Sequence, residues 1–109
     1  MSRPFDDRCP VARTLSVVGD KWTLLIVRDL LLDGPRRFRD FDHARTGIAP
    51  NTLSARFKRL EAMGVVARRL YSDHPPRYEY YLTEKGRTLG PVVAAMHKWG
   101  TALPNQGKA

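Results

Sequence analysis

The chain has one cysteine, Cys9, among its 109 residues, three histidines, and no apolar run near the roughly 20 residues that cross a bilayer. A single cysteine excludes an intrachain disulfide framework and fits a reducing compartment. Met1 to Arg8 is polar and charged where a secretory segment would be apolar, so the expected location is cytoplasmic, with no membrane partner. His43, His74 and His97 lie far apart, and no pair has metal-ligand spacing; neither a phosphate-cradling glycine loop nor a nucleophile elbow is visible. The expectation is a protein that is not an enzyme, with no metal and no cofactor. Asp6 with Asp7, and Asp40 with Asp42, read as surface or capping groups rather than as a general acid and base. No internal repeat or low-complexity tract appears; the loosest segments are Ser2 to Asp7 and Pro104 to Ala109.

Acidic residues are also scarce, at 11 against 19 lysines and arginines, a net charge of +8. The imbalance is local: residues 1 to 35 hold five basic and five acidic groups, whereas residues 36 to 77 hold ten basic and four acidic. A cluster of this kind suits a polyanion, because each cation near a phosphate releases condensed counterions, although a basic face also serves solubility. Length and 42% apolar content fit one domain that buries roughly two-thirds of its unfolded surface.

Punctuation and periodicity give the elements. Pro10 suits the first position of a helix bearing Val11, Leu15 and Val18, which Gly19 ends; Asp20 then caps a second helix running through Leu32. Trp22, Leu24, Leu25, Ile26, Val27, Leu30 and Leu31 cover too much of that helix for a surface position, making it the central core element, stopped by Asp33, Gly34 and Pro35. Phe38 and Phe41 mark a short third helix ending near Ala44, followed by a turn at Thr46 and Gly47. From Pro50 to Met63, Leu53, Phe57 and Leu60 form one apolar stripe, and Gly64 ends the helix. Val65 to Ser72 and Arg77 to Leu82 read as strands joined by Asp73 to Pro76. Thr83 caps a last helix, with Glu84 in its positive first turn.

This order is the plan of a winged helix: mainly α with a small β-hairpin (α+β), one domain over residues 1–109, helix-turn-helix and wing at 38–82, and a terminal helix at 83–103. The face opposite the apolar stripe presents Pro50, Asn51, Thr52, Ser54 and Ala55 near its tip, Lys58 and Arg59 beyond them, and Arg56 on the flank. Short polar groups at a helix tip followed by cations suit a major groove, and a solvated helix with ordinary arginines is the plainer reading. Arg37, Arg68, Arg69, His74 and Arg77 complete the candidate contacts to double-stranded DNA. Tyr78, Tyr80 and Tyr81 read as packing residues rather than base-stacking platforms. In the last helix Leu89, Val92, Val93, Met96, Trp99 and Leu103 form an apolar stripe with no partner in so small a core. A second copy of the chain is the expected cover, with Phe5, Val11 and Leu15 joining the interface, so that N- and C-terminal helices dimerise; a helix folded back on its own domain is the alternative.

Cys9-Pro10-Val11, Gly19 to Thr23, Asp33 to Phe38, Gly47-Ile48, Pro75 to Tyr80 and Leu82 to Gly86 together resemble the HxlR family of bacterial transcription regulators, relatives of MarR, over about residues 9 to 100. The resemblance implies a homodimer binding operator DNA, with Pro50, Asn51, Thr52, Ser54, Ala55, Lys58 and Arg59 on the recognition helix and His74 to Arg77 at the wing tip. Ala49 departs from the family's usual serine, so the hydroxyl cap is missing and Thr46 or water must satisfy the freed amides. Cys9 matches a position through which many members respond to oxidants or electrophiles; a sensor thiol at a helix start and an inert interface cysteine are both open. The effector, if there is one, is an oxidant or a small molecule that no residue identifies. A winged helix used for protein contact, or for sequence-blind nucleic-acid binding, is the alternative function.

Overall fold

The computed structural model describes residues 8–41 and 47–104. Phe5, His43, Ala44 and Thr46, and with them the expected end of the third helix and part of its turn, lie outside the described residues.

Helix α1 spans Pro10–Val18, with Cys9 in extended conformation at its N-cap and Pro10 in the first position, where its missing N–H costs nothing. It buries Ala12 and Val18 and leaves Val11 and Leu15 exposed. Helix α2 spans Thr23–Asp33. Asp20 caps it as expected: Oδ1 accepts from the backbone N–H of Trp22 at 2.8 Å and of Thr23 at 2.9 Å, and the Thr23 hydroxyl donates to Oδ2. The α2 residues Ile26, Val27 and Leu30 sit at the centre of the core with Phe41, Ile48, Leu53, Phe57, Leu60, Val65, Val66 and Leu82.

A two-residue strand β1, Arg36–Arg37, follows α2 and runs into a single 3-10 turn at Phe38–Asp40. Nothing in the composition announces β1, since arginine has no strand preference; it exists because the segment lies along an edge that offers pairing partners. Helix α3, Pro50–Ala62, buries Leu53, Phe57 and Leu60 on one stripe, as its spacing requires. Each such side chain contributes about 1.5–3 kcal/mol relative to exposure. Gly64, at φ +76, takes the left-handed conformation that ends the helix, and a side chain there would be strained.

Strands β2, Val66–Asp73, and β3, Pro76–Leu82, form the wing; with β1 on its other side, β3 is central in the order β1-β3-β2. The antiparallel register pairs Val66 with Leu82 and Arg69 with Glu79, then slips by one at a bulge between Leu70 and Ser72.

The expected terminal helix is two helices. α4 is one turn, Glu84–Arg87, and α5 spans Gly90–Thr101. Pro91 cannot donate to the Arg87 carbonyl and its ring would clash there, so the chain makes the shorter bonds Thr88 N–H to Lys85 O, 3.1 Å, and Leu89 N–H to Gly86 O, 3.0 Å, before restarting. Thr83 caps α4 by accepting from Gly86 N–H at 3.0 Å. Gly86 is tightly placed: a Cβ there would meet the Val65 carbonyl oxygen at 2.1 Å, so α4 can approach the start of the wing only with glycine at this point.

Leu89 and Val93 pack against the chain's own core, unlike the rest of the expected interface stripe. α5 has no buried residue. Met96, Val92 and Leu103 are exposed, and Trp99 is 69% exposed.

Candidate nucleic-acid interface

The outward face of α3 is a continuous polar stripe. Asn51, Ser54, Ala55, Lys58 and Arg59 are exposed at the i, i+3, i+4, i+7, i+8 spacing of a single helix face, opposite Leu53, Phe57 and Leu60. Thr52 and Arg56 are half-buried at its edges. The N-cap Ala49 makes no side-chain hydrogen bond, in line with the absent hydroxyl noted in the sequence, and Pro50 follows at the first position. Short groups at the tip and a cation two turns along are the chemistry that reaches base edges first and phosphates next.

The wing stands beside this helix because Phe57 ties the two together. Its ring stacks on Tyr80 of β3 at 3.9 Å between centroids and meets Phe41 edge-on at 5.1 Å. At the wing tip His74, Pro75, Pro76 and Arg77 are all exposed, and the His74–Pro75 peptide bond is cis.

The candidate cations differ in how far they are engaged within the chain. Arg68 pairs with Glu61 of α3 at 3.4 Å and lies over the Tyr78 ring at 4.8 Å. Arg69 bonds Glu79 directly across the ladder at 2.8 Å and lies over Tyr81 at 4.9 Å. Arg37 pairs with Asp40 at 3.2 Å and covers the Tyr71 ring at 5.6 Å. These are exposed or half-exposed pairs weakened by solvent screening, so a phosphate can compete for the guanidinium. Lys58 has no ion pair among the described residues. Arg56 is set apart: its Nε is shielded from solvent and sits 3.2 Å from Asp20 Oδ1. Arg59 Nη2 donates to the Ser16 carbonyl.

Neighbouring charges leave their mark on the acids and phenols. Burial, the largest influence on Asp20, acts to raise its pKa, but the Thr23 hydroxyl, the Trp22 and Thr23 amides and Arg56 together outweigh it and hold the carboxyl at about 2. The backbone N–H of Arg37, 2.9 Å from Asp40 Oδ2, keeps the Asp40 carboxyl below its ordinary value against a smaller effect of burial. The Arg37 guanidinium lowers the Tyr71 hydroxyl below the usual phenol range, with Arg77 adding to the effect. Burial raises Tyr80.

Glu61, Tyr71 and Glu79, which aim arginines, were not singled out in the sequence, whereas Asp40, read there as a surface or capping group, accepts from the Arg37 backbone N–H as a cap does. A regular ladder continued from the tip pair Asp73 and Pro76 would set Arg69 opposite Tyr80; the bulge at Tyr71 shifts it to Glu79, and nothing in the sequence marks that slip. Cys9 is exposed at the start of α1. Among the described residues no group of three or more His, Cys, Asp or Glu could hold a metal, and no helix is long and apolar enough to cross a membrane.

A family model described as HxlR-like helix-turn-helix matches residues 17–108, and the polar stripe, wing and connecting core all lie inside that span. The chain belongs to the HxlR-like helix-turn-helix family. As a member it is a transcription regulator with a DNA-binding helix-turn-helix and a winged-helix fold. The HTH-type transcriptional regulator YybR of Bacillus subtilis strain 168, itself uncharacterized, is 41% identical over 97 residues, covering 89% of this chain and 77% of that protein. The solved structure of the redox regulator HypR in its oxidized form superposes with a TM-score of 0.80 at 40% identity, over 89% of this chain and 99% of that one. A candidate MarR-family regulator from Porphyromonas gingivalis W83 gives a TM-score of 0.78 at 29% identity, over 94% of this HxlR-like chain and 100% of that one.

Proposed function

We propose that the protein is a cytoplasmic homodimer that reads inverted-repeat operators, placing α3 of each protomer in successive major grooves about 34 Å apart while the wings hold flanking phosphates. The observation that carries this reading is the unbroken outward stripe Asn51, Ser54, Ala55 and Lys58 beside the cationic wing. In it Asn51 and Ser54 meet base edges; Lys58, Arg68, Arg69 and Arg77 hold phosphates, with Arg37 and His74 at the margin. The exposed apolar residues of α5 and α1, Val92, Met96, Trp99, Val11 and Leu15, with Leu103 just past the end of α5, support a second copy as the partner.

The test is a bind-and-sequence selection from a random duplex library at about 0.15 M salt, where weak contacts are screened. Enrichment of an inverted repeat is the expected result. Binding without enrichment, lost on modest addition of salt, would favour the module that contacts protein or charge instead.

A second reading concerns control. Cys9 is exposed, and the chain is similar to a protein named as a redox regulator, which favours an oxidant or electrophile acting on this thiol, through a Cys9 to Cys9 bridge or a mixed disulfide. Diamide treatment that modifies Cys9, verified by mass, should change operator affinity; an unchanged titration would remove this reading.

A further inference from the structure

Two arginines of α3 are used inside the molecule, and both reach the corner between α1 and α2. Arg56 places its shielded Nε 3.2 Å from Asp20 Oδ1, within ion-pair reach but off the line of a hydrogen bond. Arg59 donates from Nη2 to the carbonyl of Ser16 in the last turn of α1. The receiving corner is rigid, because Asp20 is already held by the Trp22 and Thr23 amides and by the hydroxyl of Thr23, which is fully buried.

Residues three apart on a helix are neighbours on one flank, so these two contacts grip α3 along a single edge. The apolar stripe Leu53, Phe57 and Leu60 fixes how deep the helix sits. Dispersion contacts are undirected and tolerate a small roll about the helix axis, whereas the Arg59 hydrogen bond has direction and the Arg56–Asp20 attraction weakens as a roll separates the two charges. A roll of α3 would swing Asn51 and Ser54 relative to base edges. We propose that Asp20 and Arg56 are positioning residues for DNA reading: their ion pair, with Arg59 on Ser16, sets the roll of α3 against the α1–α2 corner, and Arg56 is not a phosphate contact. The inference rests on the reading of α3 as the helix that enters DNA.

The two roles of Arg56 predict opposite signs for one substitution. Asp20→Asn keeps one oxygen to accept from the Trp22 and Thr23 amides, gives up the acceptor for the Thr23 hydroxyl, removes the charge facing Arg56, and adds one unit of positive charge to the protein. If Arg56 held phosphate, freeing it would tighten binding. If Asp20 positions α3, affinity for the selected operator falls roughly five- to tenfold while affinity for random duplex is unchanged or slightly higher.

Full-length wild type, Asp20→Asn and Arg56→Gln are titrated on the selected operator and on random duplex at several salt concentrations, with thermal melts confirming that each is folded. The expected result is a matching loss of operator affinity in both variants and, in Arg56→Gln, a salt slope equal to wild type. A slope lower by about one in Arg56→Gln, tighter binding by Asp20→Asn, or unchanged operator affinity in both overturns the proposal. Should Asp20→Asn fail to fold, the slope and operator affinity of Arg56→Gln decide alone. A wild type with no sequence preference removes the DNA-reading basis itself, and the positioning role with it, which is distinct from failure of the ion pair alone.

Discussion

The Phe57 ring of α3 stacks on the Tyr80 ring of β3, centroids 3.9 Å apart and planes 16° from parallel. One side chain therefore joins the helix that faces outward with a polar stripe to the wing that flanks it, and it does so from a position that is itself 1% exposed. Phe57→Ala should cost about 3–5 kcal/mol, a large share of the 5–15 kcal/mol typical of a domain. Tyr80→Leu keeps apolar volume and loses the stacking, so it should cost about 1 kcal/mol. Urea unfolding of the two variants checks the ratio; equal losses would mean that the stacked pair, rather than burial of Phe57, carries the junction.

Asp20 is the group whose ionisation the fold exploits most. Its carboxyl is held at about 2, below the ordinary 3.8, so the folded state binds its proton less readily than the unfolded chain does. The stabilisation is complete above the ordinary value and is lost as pH falls from 3.8 toward about 2. Asp20→Asn, which cannot titrate, should be less stable than wild type at pH 7, and the gap should close across this acid window. Thermal melts from pH 6 to pH 2 measure it; a gap that persists unchanged at pH 2 would show that Asp20 does not contribute through its charge.

Much of this architecture is legible residue by residue. Leu53, Phe57 and Leu60 announce the buried stripe of α3, Gly64 its end, and Asp20 the cap of α2, because spacing, a left-handed glycine and a capping carboxylate are local facts. The pairing of Arg36 with Tyr80 is not local: β1 is a strand only because β3 lies beside it. Pro91 does mark the break between α4 and α5, but the cap at Thr83 and the apolar stripe that begins at Leu89, beyond the break, read as parts of one helix. That stripe also hides a division of labour, since Leu89 and Val93 turn inward and Trp99 outward. For the candidate site, the stripe of α3 and the basic wing were readable as composition and period. Which arginines are engaged was not, because Arg56 meets Asp20 across 36 positions of sequence and Arg69 meets Glu79 only through the bulge.

Lys58 and Ser54 share one exposed face and should fail differently. Lys58→Ala should weaken binding to every duplex and lower the salt slope by about one, whereas Ser54→Ala or Asn51→Ala should cost roughly 1–3 kcal/mol on the selected operator and relax preference at particular bases. Titration on operator and random duplex at several salt concentrations separates the two patterns. Equal losses on both DNAs for all three variants would contradict the division between phosphate and base contacts.

Met96 and Trp99 lie on α5 with Val92, Leu103 follows just past its end, and a side chain as large as Trp99 left 69% exposed is a costly surface for a monomer. Stable interfaces between protein chains bury about 1,200–2,000 Å², and a helix pair from each protomer, α1 with α5, is of a size to supply that. Wild type should therefore sediment at twice the 12.4 kDa chain mass at about 10 µM. Met96→Glu places a charge in the centre of the apolar face, where burial without a partner costs several kcal/mol, and should shift the protein to monomer without lowering its helix content. The monomer should lose far more affinity for an inverted repeat than for a single half-site, because the second recognition helix is no longer tethered at its groove. A wild type that sediments as a monomer across this range, or a Met96→Glu variant that remains dimeric, would place the interface elsewhere on the molecule.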